Sequence, residues 1–401
     1  MKLRSREPYW LLKNGLIHSY PSLKKNVSCE ILVIGGGITG ALMAYQFSQE
    51  GYKTVLLDKR DVALGSTSAT TALLQYEIDE PLHLLIDKVG RDAAVDTYTG
   101  GVKAIENLER IINSLGLQCE FCRKASLYIA HNESEKDKLM RELECREQAG
   151  IKVKWKSKAE LARDFNLLSP GGILSEAAAS VDGYRLAHEL LAFSTKHHNL
   201  QVYDHTEVAS VHYNERHSNV YTTELQAITC QRIIYATGYE SQQLLNDKIV
   251  DLISTYACVS EPLDNLPSVF EQAVVWNTED PYLYVRGTGD NRILIGGADE
   301  PFVDPEKRDE LIDKKETNLI AKYKTIMPGI DITADFAWAG TFGVTKDALP
   351  YIGPHPDFPN SYFVLGFGGN GITFSVMGMQ ILSDAVAGRK NKFLDYFRFG
   401  R

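Results

Sequence analysis

The sequence predicts a mixed α/β (α+β) chain in which a parallel sheet is interleaved with a mostly antiparallel one. Three observations predict it. Residues 29–58 follow the order strand, glycine turn, helix, strand. Residues 232–238 form a second continuous apolar run that ends in the small-residue turn Ala236-Thr237-Gly238. Farther on, residues 282–286 and 292–296 face each other across Gly287-Thr288-Gly289-Asp290-Asn291, a hairpin signal.

The first of these is the most informative. Ile31, Leu32, Val33 and Ile34 suit a strand buried on both faces. Gly35, Gly37 and Gly40 then spell G-x-G-x-x-G. In that pattern the first glycine permits the turn, the second lets a pyrophosphate approach, and the third brings helix and strand together. Ile38, Ala41, Leu42 and Tyr45 recur at helical spacing, so an amphipathic helix is expected, with its N-terminal N–H groups free for phosphate. Gly51 ends it. Asp58 closes the second strand, where an acid can accept from ribose hydroxyls. Because all the parts occur in order, the unit reads as a dinucleotide site.

The remaining elements follow along the chain. Residues 1–27 read as irregular, with Tyr9, Trp10, Leu11 and Leu12 as a docking patch. Residues 65–75, GSTSATTALLQ, are small and hydroxyl-rich; a linker is one reading, and a backbone pressed against a flat ligand is the other. A helical pattern from Pro81 to Leu117 is interrupted at Gly90 and at Gly100-Gly101, and residues 126–130 alternate as a strand. Asn132 with Glu135, and Ser157 with Glu160, have capping-box spacing. Residues 184–197 are helical. Strands are expected at 200–203, 207–213, 221–229 and 254–261, and a helix at 305–327. Near the end, residues 362–373 form a strand that runs into glycines and then a helix.

Bulk properties exclude several classes. With 401 residues, 44% apolar and 24% charged, the chain can bury the cores of two domains. A net charge of -9 leaves no excess of cations for a nucleic acid. No apolar run is long enough for a transmembrane segment, and the start lacks the apolar core of a secretory signal, so a cytoplasmic protein is expected. Of six cysteines only Cys119 and Cys122 are close, with no second pair for zinc, and reduced thiols are the default. No metal site is expected.

The G-x-G-x-x-G unit, the 65–75 loop, Ala236-Thr237-Gly238, the segment from Trp338 to Gly353 and the closing 366–373 stretch together resemble the D-amino-acid oxidase family of FAD-dependent oxidoreductases. Glycine oxidase, sarcosine oxidase and the γ-glutamylputrescine oxidoreductases are members. The resemblance covers residue 28 to the C-terminus. It implies a Rossmann-like FAD-binding domain made of 28–80, 151–245 and 336–401, with a substrate domain of 81–150 and 246–335 built on a mostly antiparallel sheet. Gly35, Gly37 and Gly40 would hold the FAD pyrophosphate, Asp58 and Lys59 the ribose end, and Val208 the adenine. Ser66, Thr67, Ala72, Leu73 and Leu74 would follow the pyrophosphate and ring edge, with Thr237 and Gly238 nearby. Gly368, Gly369, Asn370, Gly371, Ile372 and Thr373 would lie under the pyrimidine end of the flavin, where a helix N-terminus favours negative charge.

Departures from the family pattern matter as much. Relatives acting on free amino acids place an Arg near Phe342, and glycine oxidase has another where this chain has Gly369; a free α-carboxylate is therefore poorly explained unless Arg286 fills the gap. Covalent attachment would need a His in the 65–75 loop or a Cys near 342, so FAD is expected without a covalent bond. The sarcosine-oxidase lysine corresponds to Leu294, which leaves O2 and an electron carrier both open as acceptor. The expected chemistry is oxidation of the C–N bond of a small amine or amino-acid derivative by hydride transfer to flavin N5, with hydrolysis of the resulting imine. Tyr256, Tyr282, Tyr284, Arg286, Trp338 and Phe342 are the candidates for touching substrate, each with a packing role as the alternative; Gln75 and Tyr76 stand beside them. Two other classes stay open: an FAD-dependent dehydrogenase of a 2-hydroxy acid or polyol phosphate, and a non-catalytic flavoprotein subunit.

Overall fold

The computed structural model describes Met1–Arg401 and contains two sheets. In the smaller, the order is Tyr351–Pro354, Ser361–Leu365, Ala227–Tyr235, Val27–Ile34, Thr54–Leu57, Leu200–Tyr203, with Val208–Tyr213 and Ser218–Thr222 as an antiparallel flap. Apart from that flap and the edge strand Tyr351–Pro354, its strands are parallel. Strand alternation divides it. Ile31, Val33, Leu56, Ile234 and Val364 face the core under the helices, whereas Leu32, Ile34, Val55, Leu57, Ile233 and Phe363 face the other side.

The helix Ile38–Gln49 is not amphipathic as expected. Every residue except Gln49 is buried, because Gly183–His197 and Gly371–Val386 flank it and leave no solvent side. A hydroxyl pair, Thr39 Oγ1 to Ser375 Oγ at 2.8 Å, joins the N-terminal turns of the first and last of these helices.

The larger sheet has ten strands. Its order is Arg4–Ser5, Ala334–Val344, Asp251–Ser260, Ile293–Glu300, Leu283–Gly287, Ala273–Asn277, Cys122–Ile129, Gly171–Ser180, Leu73–Gln75, with Val153–Ser157 beside Gly171–Ser180. Only the pairing of Ala273–Asn277 with Cys122–Ile129 is parallel. Helix Pro305–Ile326 covers one face over a core that includes Tyr256, Leu283, Ile295 and Ile312; the other face looks toward the parallel sheet.

Strand pairing departs from the expected grouping in places. Val153–Ser157, Gly171–Ser180 and most of Ala334–Val344 belong to the antiparallel sheet, although the sequence groups 151–245 and 336–401 with the cofactor-binding segments. Leu73–Gln75 joins it too. Apolar alternation marks a strand but does not name its partner.

Local differences have local causes. The expected strand 221–229 breaks into two at a turn where Leu225 takes φ 69° and lies 88% exposed. No break occurs at Gly100-Gly101: Arg91–Leu115 runs through, and a Cβ on Gly101 would stand 3.0 Å from the Tyr76 Cα, so the glycine lets helix and strand touch. Ser157 and Glu160 do form a capping box, but Asn132 instead accepts from the Ser134 hydroxyl. The start of the chain is ordered into Arg4–Ser5 and helix Tyr9–Asn14, with Tyr9 and Trp10 buried and Leu12 exposed. No helix is long and apolar enough to cross a membrane.

Candidate functional site

Between the two sheets lies a cavity of 1290 Å³. That exceeds the roughly 300–1,000 Å³ of a pocket for a single small ligand, so it has room for a cofactor and a substrate together. The end beside the glycine turn is made of backbone. Gly35 has φ +106°, and a Cβ there would come within 2.4 Å of the Ala236 carbonyl oxygen. A Cβ on Gly40 would lie 1.8 Å from the Gly35 oxygen, so only glycine lets the helix start this close to the strand. Gly35 and Gly37 line the cavity; Gly40 does not, and acts by packing.

Asp58 lines the cavity beside Lys59. Its two oxygens accept from the backbone N–H groups of Gly36 at 2.7 Å and Arg60 at 2.9 Å. Burial raises its carboxyl pKa against those two donors. Carboxylate oxygens have further lone pairs, so the turn is braced and acceptor capacity is left for hydroxyls. Lys59 is paired with Glu240 at 3.1 Å. Val208, Thr237 and Gly238 complete this end, and the Thr237 hydroxyl is buried without a partner.

The 65–75 loop is no linker. Ser66–Ala69 make one helical turn and Leu73–Gln75 a strand. Thr67 Oγ1 accepts from Ile38 N at 2.9 Å, at the start of the glycine-turn helix. Two indoles hold the loop from behind: Trp10 Nε1 donates to Thr70 O at 2.6 Å and Trp338 Nε1 to Ala69 O at 2.9 Å. Ser66, Thr67, Ala72 and Leu73 line the cavity, whereas Leu74 turns into the core.

The closing glycine segment is fastened to the same loop. Asn370 Nδ2 donates to Gln75 O at 3.1 Å and Glu77 O at 2.7 Å, and Thr373 Oγ1 donates to Gln75 O at 3.1 Å. Gly368, Gly369, Asn370, Gly371 and Ile372 line the cavity; Thr373 does not. Helix Gly371–Val386 starts here with no capping side chain, so its first N–H groups open toward the space.

The far end is made of side chains from the antiparallel sheet. Tyr282, Tyr284, Trp338 and Phe342 line it, with the Tyr284 ring lying over Gly296. Tyr256 contributes to the wall, but its ring belongs to the core of the opposite face, with Lys315 Nζ 5.2 Å from the ring centroid. Arg286 is displaced altogether. It lines a separate 110 Å³ pocket, lies over Trp10 and donates to Val181 O at 3.1 Å; burial lowers its pKa to about 10. It therefore does not reach the cavity beside Phe342 and Gly369. Leu294 is fully buried opposite Arg286. Cys119 is buried, its thiol pushed up to about 12 by that burial, while Cys122 is exposed; both are free.

The sequence reading missed Glu77, Asp79 and Asp299, all of which line the cavity. Asp79 accepts from Gly369 N at 3.0 Å and from the Tyr282 hydroxyl at 3.3 Å. The residue is exposed where it lines the cavity, and desolvation by the chain around it pushes its carboxyl pKa up. A signal for two of the three was present: polar Gln75, Glu77 and Asp79 alternate with apolar Leu74, Tyr76 and Ile78. Nothing local marked Asp299.

Comparison with known proteins bears on this geometry. The model of the DAO family, described as FAD dependent oxidoreductase, matches residues 30–385. The chain is 24% identical to a protein named putative Rieske 2Fe-2S iron-sulfur protein YhfW of Bacillus subtilis, covering 98% of this chain and 75% of that one. It is 26% identical to a glycine oxidase of Bacillus licheniformis, covering 93% and 97%. The crystal structure of glycine oxidase from Geobacillus kaustophilus superposes with a TM-score of 0.75 at 20% identity, over 93% of this chain and 99% of that one.

Proposed function

Because the chain belongs to the DAO family of FAD-dependent oxidoreductases, we propose that it oxidises the C–N bond of a small amine or amine-like compound. The observation that carries this reading is one continuous cavity joining a glycine cradle to the wall of Tyr282, Tyr284, Trp338 and Phe342, with no arginine at that end. The cradle fits FAD. Gly35 and Gly37 would face the pyrophosphate, Asp58 the ribose, Val208 the adenine, and Ser66, Thr67, Ala72 and Leu73 the dinucleotide's flank. Gly368 to Ile372 would lie at the pyrimidine end of the ring. Without a His in the 65–75 loop, and with Phe342 at the other attachment position, we take the cofactor to be held non-covalently.

Bound FAD supplies the redox chemistry, accepting two electrons with the substrate's α-hydrogen so that an imine is left for water to hydrolyse. The chain's own residues do the positioning. Trp10 and Trp338 fix the loop carbonyls, and Asn370 locks that loop to the closing segment. The aromatic wall excludes water and orients the amine. Free N–H groups of the helix that begins at Gly371 favour negative charge at that end of the helix.

A 2-hydroxy-acid dehydrogenase is disfavoured, since it would need a cation for its anionic substrate, and Arg286 lies in another pocket while Lys138, which does line the cavity, is paired with Glu135 at 3.2 Å. Anaerobic titration of the flavin-loaded protein with amines, amino acids and hydroxy acids tests the proposal. Bleaching by amines but not by glycine or lactate is expected; bleaching by lactate alone would overturn it. Reoxidation measured with air and with a one-electron dye then assigns O2 or an electron carrier as acceptor.

A further inference from the structure

The substrate end of the cavity has more negative charge than a neutral ligand needs. Gln75 at the end of strand Leu73–Gln75, and Glu77 and Asp79 in the turn that follows it, line the cavity, while Leu74 and Tyr76 pack in the core. Glu77 is 4% exposed; one oxygen pairs with Arg146 at 3.1 Å, and the other, Oε2, has no partner. Asp79 is bonded only to neutral donors, Gly369 N and the Tyr282 hydroxyl. Opposite, Asp299 Oδ1 is buried with no partner. The positive charge that acts on Asp299 is Lys315, whose Nζ is already committed to Glu300 at 2.6 Å and Ala298 O at 2.7 Å. A carboxylate oxygen enclosed without a partner, as in Glu77 and Asp299, is costly unless a ligand supplies a donor, and Asp79 opens onto the same cavity with no cation bonded to it.

The aromatic walls favour the same ligand. Tyr282 and Tyr284 have ring centroids 5.8 Å apart and line the space beside Asp79 and Asp299. Aromatic faces attract ammonium groups and give nothing to a carboxylate. Phe342 and Gly369 complete this wall, and a Cβ on Gly369 would point at Asp79, 2.9 Å from its Oδ1. A carboxylate-bearing substrate would meet acids there and no arginine.

We infer that this site takes a substrate with two basic nitrogens and no carboxylate, a diamine or polyamine, which reacts at a nitrogen that has given its proton to water while its other nitrogen, as an ammonium, is held by Asp79 and Asp299 between the tyrosines. The inference rests on the amine-oxidising reading above for the reacting nitrogen, but the cation site itself is a separate claim. Each ammonium hydrogen bond to a carboxylate is charge-assisted, so losing one changes affinity by on the order of tenfold or more.

The test uses the flavin-loaded protein and three compounds of one length: 1,4-diaminobutane, butylamine and 4-aminobutanoate. Anaerobic flavin reduction gives kcat/KM, and perturbation of the flavin absorption or calorimetry gives binding without turnover. The diamine is expected to exceed butylamine by on the order of 30-fold, with 4-aminobutanoate inactive. In Asp79→Asn and Asp299→Asn, each checked for retained flavin, the diamine-to-butylamine ratio should fall to about threefold or less. Equal use of butylamine, use of 4-aminobutanoate, or an unchanged ratio in both variants overturns the inference while leaving amine oxidation standing. Diamine binding that depends on both aspartates, without any bleaching, supports the cation site and overturns the oxidation reading.

Discussion

The two ends of the cavity are built from different materials. At the glycine-turn end the chain presents backbone: glycines whose added Cβ would strike other backbone, helix N-termini, and a loop whose carbonyls are held by two indoles. At the far end it presents side chains from strands and turns far apart in sequence: Asp79 from one segment, Tyr282 from another, Asp299 from a third. Backbone sites serve a ligand that does not vary, whereas side-chain sites can be rewritten one residue at a time. In this molecule, then, a change at the glycine-turn end disturbs the backbone itself, whereas a change at the far end alters only the lining.

Four experiments put that contrast at risk or refine it. The greatest damage is expected from Gly40→Ala, which puts a Cβ 1.8 Å from a backbone oxygen that cannot retreat. A loss of about 3 kcal/mol in denaturant unfolding, with little flavin retained on purification, is the outcome. Next comes Trp338→Phe, which keeps an aromatic ring and removes the N–H that Ala69 O accepts. Leaving that carbonyl unpaired costs about 1–3 kcal/mol. Flavin should dissociate faster in a dilution assay, with KM moving less than flavin affinity.

The third concerns the other end. Burial raises the Asp299 carboxyl to about 6; Asp79 and Asp280 push in the same direction, against the Thr255 hydroxyl and Lys315. A raised carboxyl keeps its charge above that pH and loses it below. The ratio of kcat/KM for a diamine over a monoamine should thus be full at about pH 7.5 and fall by about tenfold per unit below about pH 6. A ratio flat from about pH 5 to 8 would remove Asp299 from cation binding. The mildest is a control far from both ends: Ser157→Ala removes a capping box and should cost about 1 kcal/mol, with flavin content and turnover unchanged.

How much was legible follows from the same contrast. Gly35, Gly37, Gly40 and Asp58 could be read because the unit is contiguous and each residue type answers a local steric or hydrogen-bonding demand. Tyr284 and Trp338 were named, but so was Tyr256, whose ring faces the other way. Which face a strand residue takes depends on register with neighbours, and the register places Tyr284 opposite Gly296 and Tyr256 opposite Gly297. Arg286 shares the alternation of Tyr282 and Tyr284 but lies one step too far along the strand, beside Trp10. Asp299 sits at the end of Ile293–Glu300, past Gly297 and Ala298, both of positive φ, and its neighbourhood exists only once three strands have met. The extent of burial of helix Ile38–Gln49 was hidden for a similar reason, since its last covering element comes from the far end of the sequence.

That late element also matters in time. Asn370 and the helix that starts at Gly371 close the cavity over residues made some three hundred positions earlier, Gln75 and Glu77 among them. A nascent polypeptide emerging from the ribosome therefore carries a half-built seat for most of its synthesis. Only after the helix from Gly371 docks is the seat whole, so a cofactor cannot be fully enclosed until that helix has been made.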